Sequence, residues 1–331
     1  MALYMTANNL TNLIDISPFA YSVVMLYGVI LIKIFTGYLA SHQPLRFFRI
    51  FCDQLAKKVN KSKNTDRQRF ISGLIAIAVS LTPIVIILWL FEAFVEATWL
   101  WQGFLLYLAL GCLQLGKTSK EIAKLIVANK NFEAKQLLNP WLLRNTEQLS
   151  SLGLAKSCIE MLLLRAVQNL FTISLVFLLF GPLTALVCRL LIEMHYSWNN
   201  KQNSFQPFGD SVAFIVNIIQ WLPSRIFSLI LLFGCIGKNF VLFFRLNRRY
   251  FFQLNNSYVL NLFALSLEVK LGGVAMYQNI KLRKTSYNDH GRQPQATDII
   301  HASKRISQVF YFCFLFLTLL TLFIYSFNIN R

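Results

Sequence analysis

Four stretches of this chain run without a charged side chain for about the roughly 20 residues that a bilayer-spanning helix needs: Ile71–Phe91, Ala97–Leu115, Ala166–Cys188 and Val309–Phe327. No water is present in hydrocarbon to satisfy backbone N–H and C=O groups, so apolar runs of this length fold as helices that bond internally. Hydrophobic residues make up 56% of the 331 and charged ones only 14%, with a mean hydropathy of +0.51. This reads as an all-α polytopic membrane protein of about six transmembrane helices, with amphipathic helices on the cytoplasmic side. Spans are expected at about 17–40, 70–91, 97–116, 158–192, 224–244 and 309–327, in one integral membrane domain covering 1–331.

Charge distribution sets the expected sidedness. The formal charge is +18, but Lys and Arg gather between the spans: eight in 41–69, seven in 117–156 and ten in 245–305. Held on one side of a membrane, such loops are cytoplasmic and attract anionic headgroups, which accounts for the charge without nucleic acid. With these three loops inside, both termini lie outside, as does the loop from Tyr196 to Asp210, which has one Lys and one Asp. The residues ahead of the first span carry neither Lys nor Arg and show no small-residue cleavage site, so a removable signal peptide is not expected. Six scattered cysteines read as buried hydrophobes.

Local patterns refine this. PLRFFRIFCDQLAKKV spaces Leu45, Phe48, Phe51, Cys52 and Leu55 as a helix does, giving either an amphipathic basic helix on the membrane surface or a solvated charged loop. KEIAKLIVANKNFEAKQLLN has amphipathic helical spacing too. Lys33 lies within the first span, where snorkelling is open to it near a helix end. Gly181-Pro182 breaks or kinks the 158–192 helix, a hinge by proline's missing N–H and its steric clash. Ser211–Ser224 is too short to span, so a re-entrant or interfacial helix is expected there, followed by a span with Pro223 in its first turn. The 281–297 stretch reads as a loose polar linker.

Chemistry-bearing motifs are few. The four histidines have no metal-ligand spacing, there is no phosphate-binding Gly-rich loop and no Gly-x-Ser-x-Gly elbow, and carboxylates are too sparse for magnesium–nucleotide chemistry. No metal, cofactor or catalytic residue is therefore expected. Arginine inside an apolar segment demands a partner. Arg165, Arg189 and Arg225 either pair with Glu160 and Glu193 inside the bundle or gather around an anionic ligand, small molecule or headgroup. Arg189 and Glu193 are one helical turn apart.

The order LRNTEQL (143–149), a helix with IEM at Ile159, FGPLTALVCRLL (180–191), Phe208-Gly209 and WLPSRIFSL (221–229) resembles the CobD/CbiB superfamily, whose corresponding pieces read G-R-D-T, F-G and I-P-A-R-L-T-A-L. The resemblance is strongest over about 144–232 and implies a multi-pass protein of the bacterial inner membrane. An anionic ligand or lipid headgroup is expected to be held near the cytoplasmic face by Arg144, Asn145, Thr146, Arg189 and Arg225. The synthase branch of that superfamily joins an aminopropanol-type amine to a corrinoid carboxylate in cobalamin assembly. Its acidic motifs are altered here: Asn145 stands for an Asp, Ile192–His195 for N-T-L-D, and Val216-Asn217 for an Asp pair. His42-Gln43-Pro44 is all that echoes its N-terminal signature. The AmpE-like branch is similar in the YFFQLNNSYVLNLFALSLE region and the closing Ala-Ser-Lys-Arg before the last span. That similarity implies a non-enzymatic sensory or regulatory protein, linked to β-lactamase induction and cell-wall recycling, with a possible protein partner. A corrinoid amide synthase or related membrane enzyme is the alternative.

Overall fold

A computed structural model describes residues 18–39, 45–61, 63–142, 146–200, 204–233, 255–277 and 280–329, with residues 241, 245, 246 and 248. In chain order the elements are α1 (Pro18–Leu39), α2 (Arg46–Val59), α3 (Asp66–Glu92), α4 (Thr98–Ala109), α5 (Leu115–Val127), α6 (Asn131–Leu138) and α7 (Ser151–Ala166). A π-helical turn (Val167–Phe171) joins α7 to α8 (Thr172–Phe180); α9 (Pro182–Ser197), α10 (Gln206–Phe233), α11 (Asn255–Ser266), a hairpin of β1 (Leu271–Tyr277) and β2 (Ile280–Tyr287), and α12 (Ala296–Ile329) follow.

Among the described residues five helical stretches are long and apolar enough to cross a membrane: Pro18–Gly37, Asp66–Glu92, Ser151–Phe180, Gln206–Phe233 and Ala296–Phe327. The most apolar window of α12 is only 6% buried within the protein and that of α3 22%, against 67% for Ser151–Phe180. Phe35, Trp89, Tyr311 and Phe323 all stand exposed on these helices, a surface that suits lipid and not water. The all-α polytopic fold read from the sequence is the one observed.

Two apolar cores share the molecule. One joins α5, α6, α7, α11, the hairpin, the end of α10 and the first turns of α12. The other joins α1 to α4, α8, α9 and the start of α10. The continuous helix from Ser151 to Phe180 runs from the first into the second.

Gly181-Pro182 does more than kink one span. Gly181 takes φ +86°, ψ 179°, a region open essentially to glycine alone, and Pro182 then opens α9 at its first position. The chain doubles back: the Tyr196 hydroxyl, near the end of α9, donates to Gln168 at 2.7 Å, near the start of the same hairpin. The expected 158–192 span is thus two antiparallel helices. Its consequence is that Trp198–Asn200 and Ser204 return to the side from which α3 starts. Ser204 carbonyl oxygen accepts from Arg69 Nη2 at 2.6 Å and Asn60 Nδ2 at 2.9 Å, and a Cβ on Gly209 would meet the Trp198 carbonyl oxygen at 2.2 Å. That loop belongs with the basic 41–69 segment, not on the opposite face.

Other expected boundaries shift for similar reasons. In place of a 97–116 span, α4 stops at Ala109, and Gly111 N–H turns aside to donate to the Asn169 carbonyl at 3.0 Å. No separate short helix forms at 211–224, since α10 runs unbroken through Pro223 from Gln206 to Phe233. Nearby polar side chains support the helix there: Ser224 Oγ and Arg225 Nη1 donate to the Trp221 carbonyl at 2.9 and 3.3 Å. Residues 234–240 and 242–244, the rest of the expected 224–244 span, lie outside the described residues. The polar 281–297 stretch begins as β2, paired antiparallel with β1 from Leu271↔Tyr287 to Tyr277↔Ile280. Backbone pairing here overrides a polar composition that reads as loop.

Replacing Gly181 by Ala lowers stability by about 1–3 kcal/mol through backbone strain alone, because the added Cβ meets no atom within 4 Å. Thermal unfolding in mild detergent measures this, and an unchanged midpoint would show that the turn tolerates another conformation.

Candidate functional site

Once α9 turns back, Arg189, Glu193 and Tyr196 fall on one helix face by their four- and three-residue spacing. The Glu193 carboxylate has 1% exposure and lies between two guanidinium groups, that of Arg189 on its own helix and that of Arg49 on α2. Arg49 reaches it because α2 is fastened across the end of α9. Trp198 Nε1 donates to the Cys52 carbonyl at 2.9 Å, and Ser197 Oγ donates to the Asp53 carboxylate.

Arg165 of α7 approaches from the far side, its guanidinium carbon 4.0 Å from the centre of the Tyr196 ring and its Nη2 3.2 Å from the Trp141 carbonyl oxygen. The Tyr196 hydroxyl lies within 2.7 Å of Gln168 Oε1 and 3.3 Å of Asn169 Oδ1, both on the π-helical turn. Such turns insert a residue and push neighbouring side chains onto one side, a common device at functional sites. Gln168 Nε2 continues the chain of bonds to Asn256 Oδ1 at 3.1 Å. Next to it, Asn255 accepts from Arg225 and donates to the Asn217 carbonyl at 2.6 Å. Arg225 also donates to Ser224 Oγ at 2.9 Å and packs on Trp221 and Tyr258.

The cluster around Tyr196 therefore sets three guanidinium groups, Arg49, Arg165 and Arg189, against one carboxylate, Glu193. Among the described residues Nε and Nη1 of Arg189 are buried without a hydrogen-bond partner. Glu193 Oε1, paired in charge with Arg189, is likewise buried without a hydrogen bond, and buried polar atoms left unbonded are costly.

Of the residues singled out in the sequence, Arg189, Glu193 and Arg165 meet directly or through Tyr196, while Arg225 is held separately by Asn255, the chain neighbour of Asn256. Glu160 instead accepts from the Gly272 N–H at 2.9 Å, which ties α7 to β1. Thr146 is buried, with its hydroxyl 3.3 Å from Asn139 Oδ1. Arg144 and Asn145 lie outside the described residues. Lys33 does not snorkel: it is 8% exposed, and its ammonium group donates to the carbonyls of Tyr107, at 2.6 Å, and Leu110 at the end of α4. Arg49, Gln168, Asn169, Tyr196, Asn255 and Asn256 were not among the expected residues. Only Tyr196, one turn after Glu193, carried a signal in the spacing.

The family model for CobD/Cbib protein matches residues 26–306. A relative from Stutzerimonas stutzeri (strain A1501), named cobalamin biosynthesis protein CobD, is 25% identical over 83% of this chain and 90% of its own length. Relatives of the same name from Chromobacterium violaceum and Leptospira interrogans are 27% identical over 62% of this chain and 66% of theirs, and 26% identical over 57% and 61%. No solved structure matches significantly. These findings overturn the expected regulatory role of the AmpE type, and with it the expectation of a protein without catalytic activity, because the curated relatives are named for cobalamin biosynthesis. With a match that runs through nearly all its elements, from α1 into α12, the chain belongs to the CobD/CbiB family of multi-pass bacterial inner-membrane proteins.

Proposed function

We propose that this chain is a membrane-embedded enzyme of cobalamin biosynthesis that forms an amide between a corrinoid carboxylate and an aminopropanol-type amine. The family and the names of the relatives support the pathway. The reaction is the one that resemblance to the synthase branch implies. The observation that carries it is the charge imbalance around Tyr196, where three arginines face one glutamate and Arg189 keeps two buried donors unspent.

Amide formation at neutral pH needs a carboxylate oxygen made into a leaving group, as in an acyl phosphate formed with ATP. The amine nitrogen then attacks the acyl carbon, the C–O bond breaks, phosphate departs and the amine gives up a proton. Arginines suit both anionic stages, since fixed N–H donors in a water-poor site stabilise charge as it develops on oxygen. Glu193 has its carboxylate occupied by two guanidinium groups, so its part is to orient Arg49 and Arg189. Glu193 and Asn217 align with altered acidic motifs of the synthase, and both touch this network. The 250–268 region resembles the AmpE-like branch in sequence, a resemblance that carries none of that branch's regulatory role.

In the direct test, the purified protein receives a corrinoid acid, the amine and ATP, and mass spectrometry follows the corrinoid. The expected product has gained the amine less one water, in step with ATP cleavage. Arg189→Ala is expected to lower kcat/KM about 30-fold or more, the factor for about 2 kcal/mol lost when one partner of a buried charge pair is truncated. Absence of product together with absence of corrinoid binding in the folded protein would overturn the reading. Glu193→Gln strands two guanidinium groups and is expected to lower stability by about 3–5 kcal/mol, read from thermal unfolding in detergent; a smaller effect than Gly181→Ala would show that the arginines find other partners.

A further inference from the structure

The helix that brings Arg49 to Glu193 has two apolar faces, and among the described residues only one of them meets protein. Successive residues of a helix turn by about 100°. Cys52 and Ala56 are buried, and Phe48, Leu55 and Val59 pack beside them against the second core. The opposite face carries Phe47, Ile50 and Phe51 in the first half of the helix, exposed by 85%, 48% and 48%. Along the same face the second half carries Gln54, Lys57 and Lys58, all exposed. Exposed Lys61, Lys63 and Arg67 follow.

We propose that this outer face of α2 seats on an anionic bilayer surface, and that the seating holds Arg49 in the arginine–glutamate cluster. The location fits one occupant. Residues 40–45 and 60–65 connect α2 to α1 and α3, both apolar enough to cross the membrane, so short tethers keep α2 near the bilayer surface. Phe47, Ile50 and Phe51 enter the boundary between headgroups and acyl chains, while the lysine stems of the second half lie along it with their ammonium groups among phosphates. Arg49 lies on the flank between the two faces and is partly buried. Tilting the helix off the surface would withdraw Arg49 from Glu193. The inference deepens the proposed function by naming lipid as a partner of the same site, but its test does not depend on that function.

The experiment uses the full chain in nanodiscs of phosphatidylcholine alone or of an equimolar mixture of phosphatidylcholine and phosphatidylglycerol. A photoactivatable benzoylphenylalanine in place of Phe47 is expected to cross-link to lipid, more strongly in the mixed discs. Lys57→Gln with Lys58→Gln is expected to bring the yield down to that in phosphatidylcholine alone. Cross-links to a second copy of the chain, or none to lipid, would overturn the lipid surface. For the link to the site, thermal midpoints are compared in the mixed discs for Arg49→Ala, for Phe47→Gln/Ile50→Gln/Phe51→Gln, and for the combination. Delivery of Arg49 by the seated helix predicts that Arg49→Ala lowers the midpoint of the native chain but adds nothing to the triple variant. Additive shifts would overturn it. Loss of corrinoid turnover in all forms, the native one included, would count against the proposed enzyme and leave both readings of α2 intact.

Discussion

The carboxylate of Glu193, enclosed between Arg49 and Arg189, is the interaction on which the architecture turns. A buried carboxylate costs several kilocalories per mole in lost hydration, and only close, well-directed partners offset it. Those partners come from separate parts of the chain. Arg189 is one turn away on α9, so it meets Glu193 wherever that helix goes. Arg49 meets it only if α2 lies across the end of α9, where Trp198 and Ser197 bond to residues 52 and 53. The ion cluster thereby fixes an otherwise peripheral helix against the bundle, and the glycine turn at Gly181 is what places Glu193 within its reach.

The π-helical turn extends the same logic. Its irregular hydrogen bonding lets the Asn169 carbonyl take the Gly111 N–H that ends α4, while the side chains of Gln168 and Asn169 both face the Tyr196 hydroxyl. One local irregularity thus ends a neighbouring helix and orients the aromatic ring on which Arg165 rests. From that ring polar contacts reach Asn256 through Gln168, and the next residue in the chain, Asn255, holds Arg225, so one short stretch of α11 serves both arginine groups.

Length and apolarity made the helices legible, and the rule that charge in hydrocarbon needs a partner made Arg165, Arg189, Glu193 and Arg225 legible. What hydropathy could not show was direction. A 158–192 run that is apolar throughout reads identically as one kinked span or as a hairpin, and the difference rests on one backbone torsion at Gly181. That single ambiguity put the loop expected from Tyr196 to Asp210 on the face opposite the 41–69 segment, whereas Ser204 bonds to Asn60 and Arg69. Arg49 was hidden for another reason: on an amphipathic helix a basic residue reads as solvent-facing, and its burial depends on which flank the bundle covers. Asn255 and Asn256 are uncharged and leave no imprint on hydropathy. The exposed triad of α2 was half visible, since Phe51 was counted with the inward face to which Cys52 belongs.

Two kinds of buried cation coexist in this bundle, and their donors distinguish them. Lys33 has its ammonium group directed at the carbonyls of Tyr107 and Leu110, where α4 ends. It satisfies backbone acceptors that the end of a helix leaves unpaired, in a place where water would otherwise be needed. Such a lysine is a cap, and its charge favours the carbonyl end of a helix. Arg189 is placed differently: one side of its guanidinium meets Glu193, while Nε and Nη1 are buried and have no acceptor among the described residues. The apolar segments thus hold one cation whose bonding is met by backbone carbonyls and another that, among the described residues, keeps two buried donors beyond its ion pair.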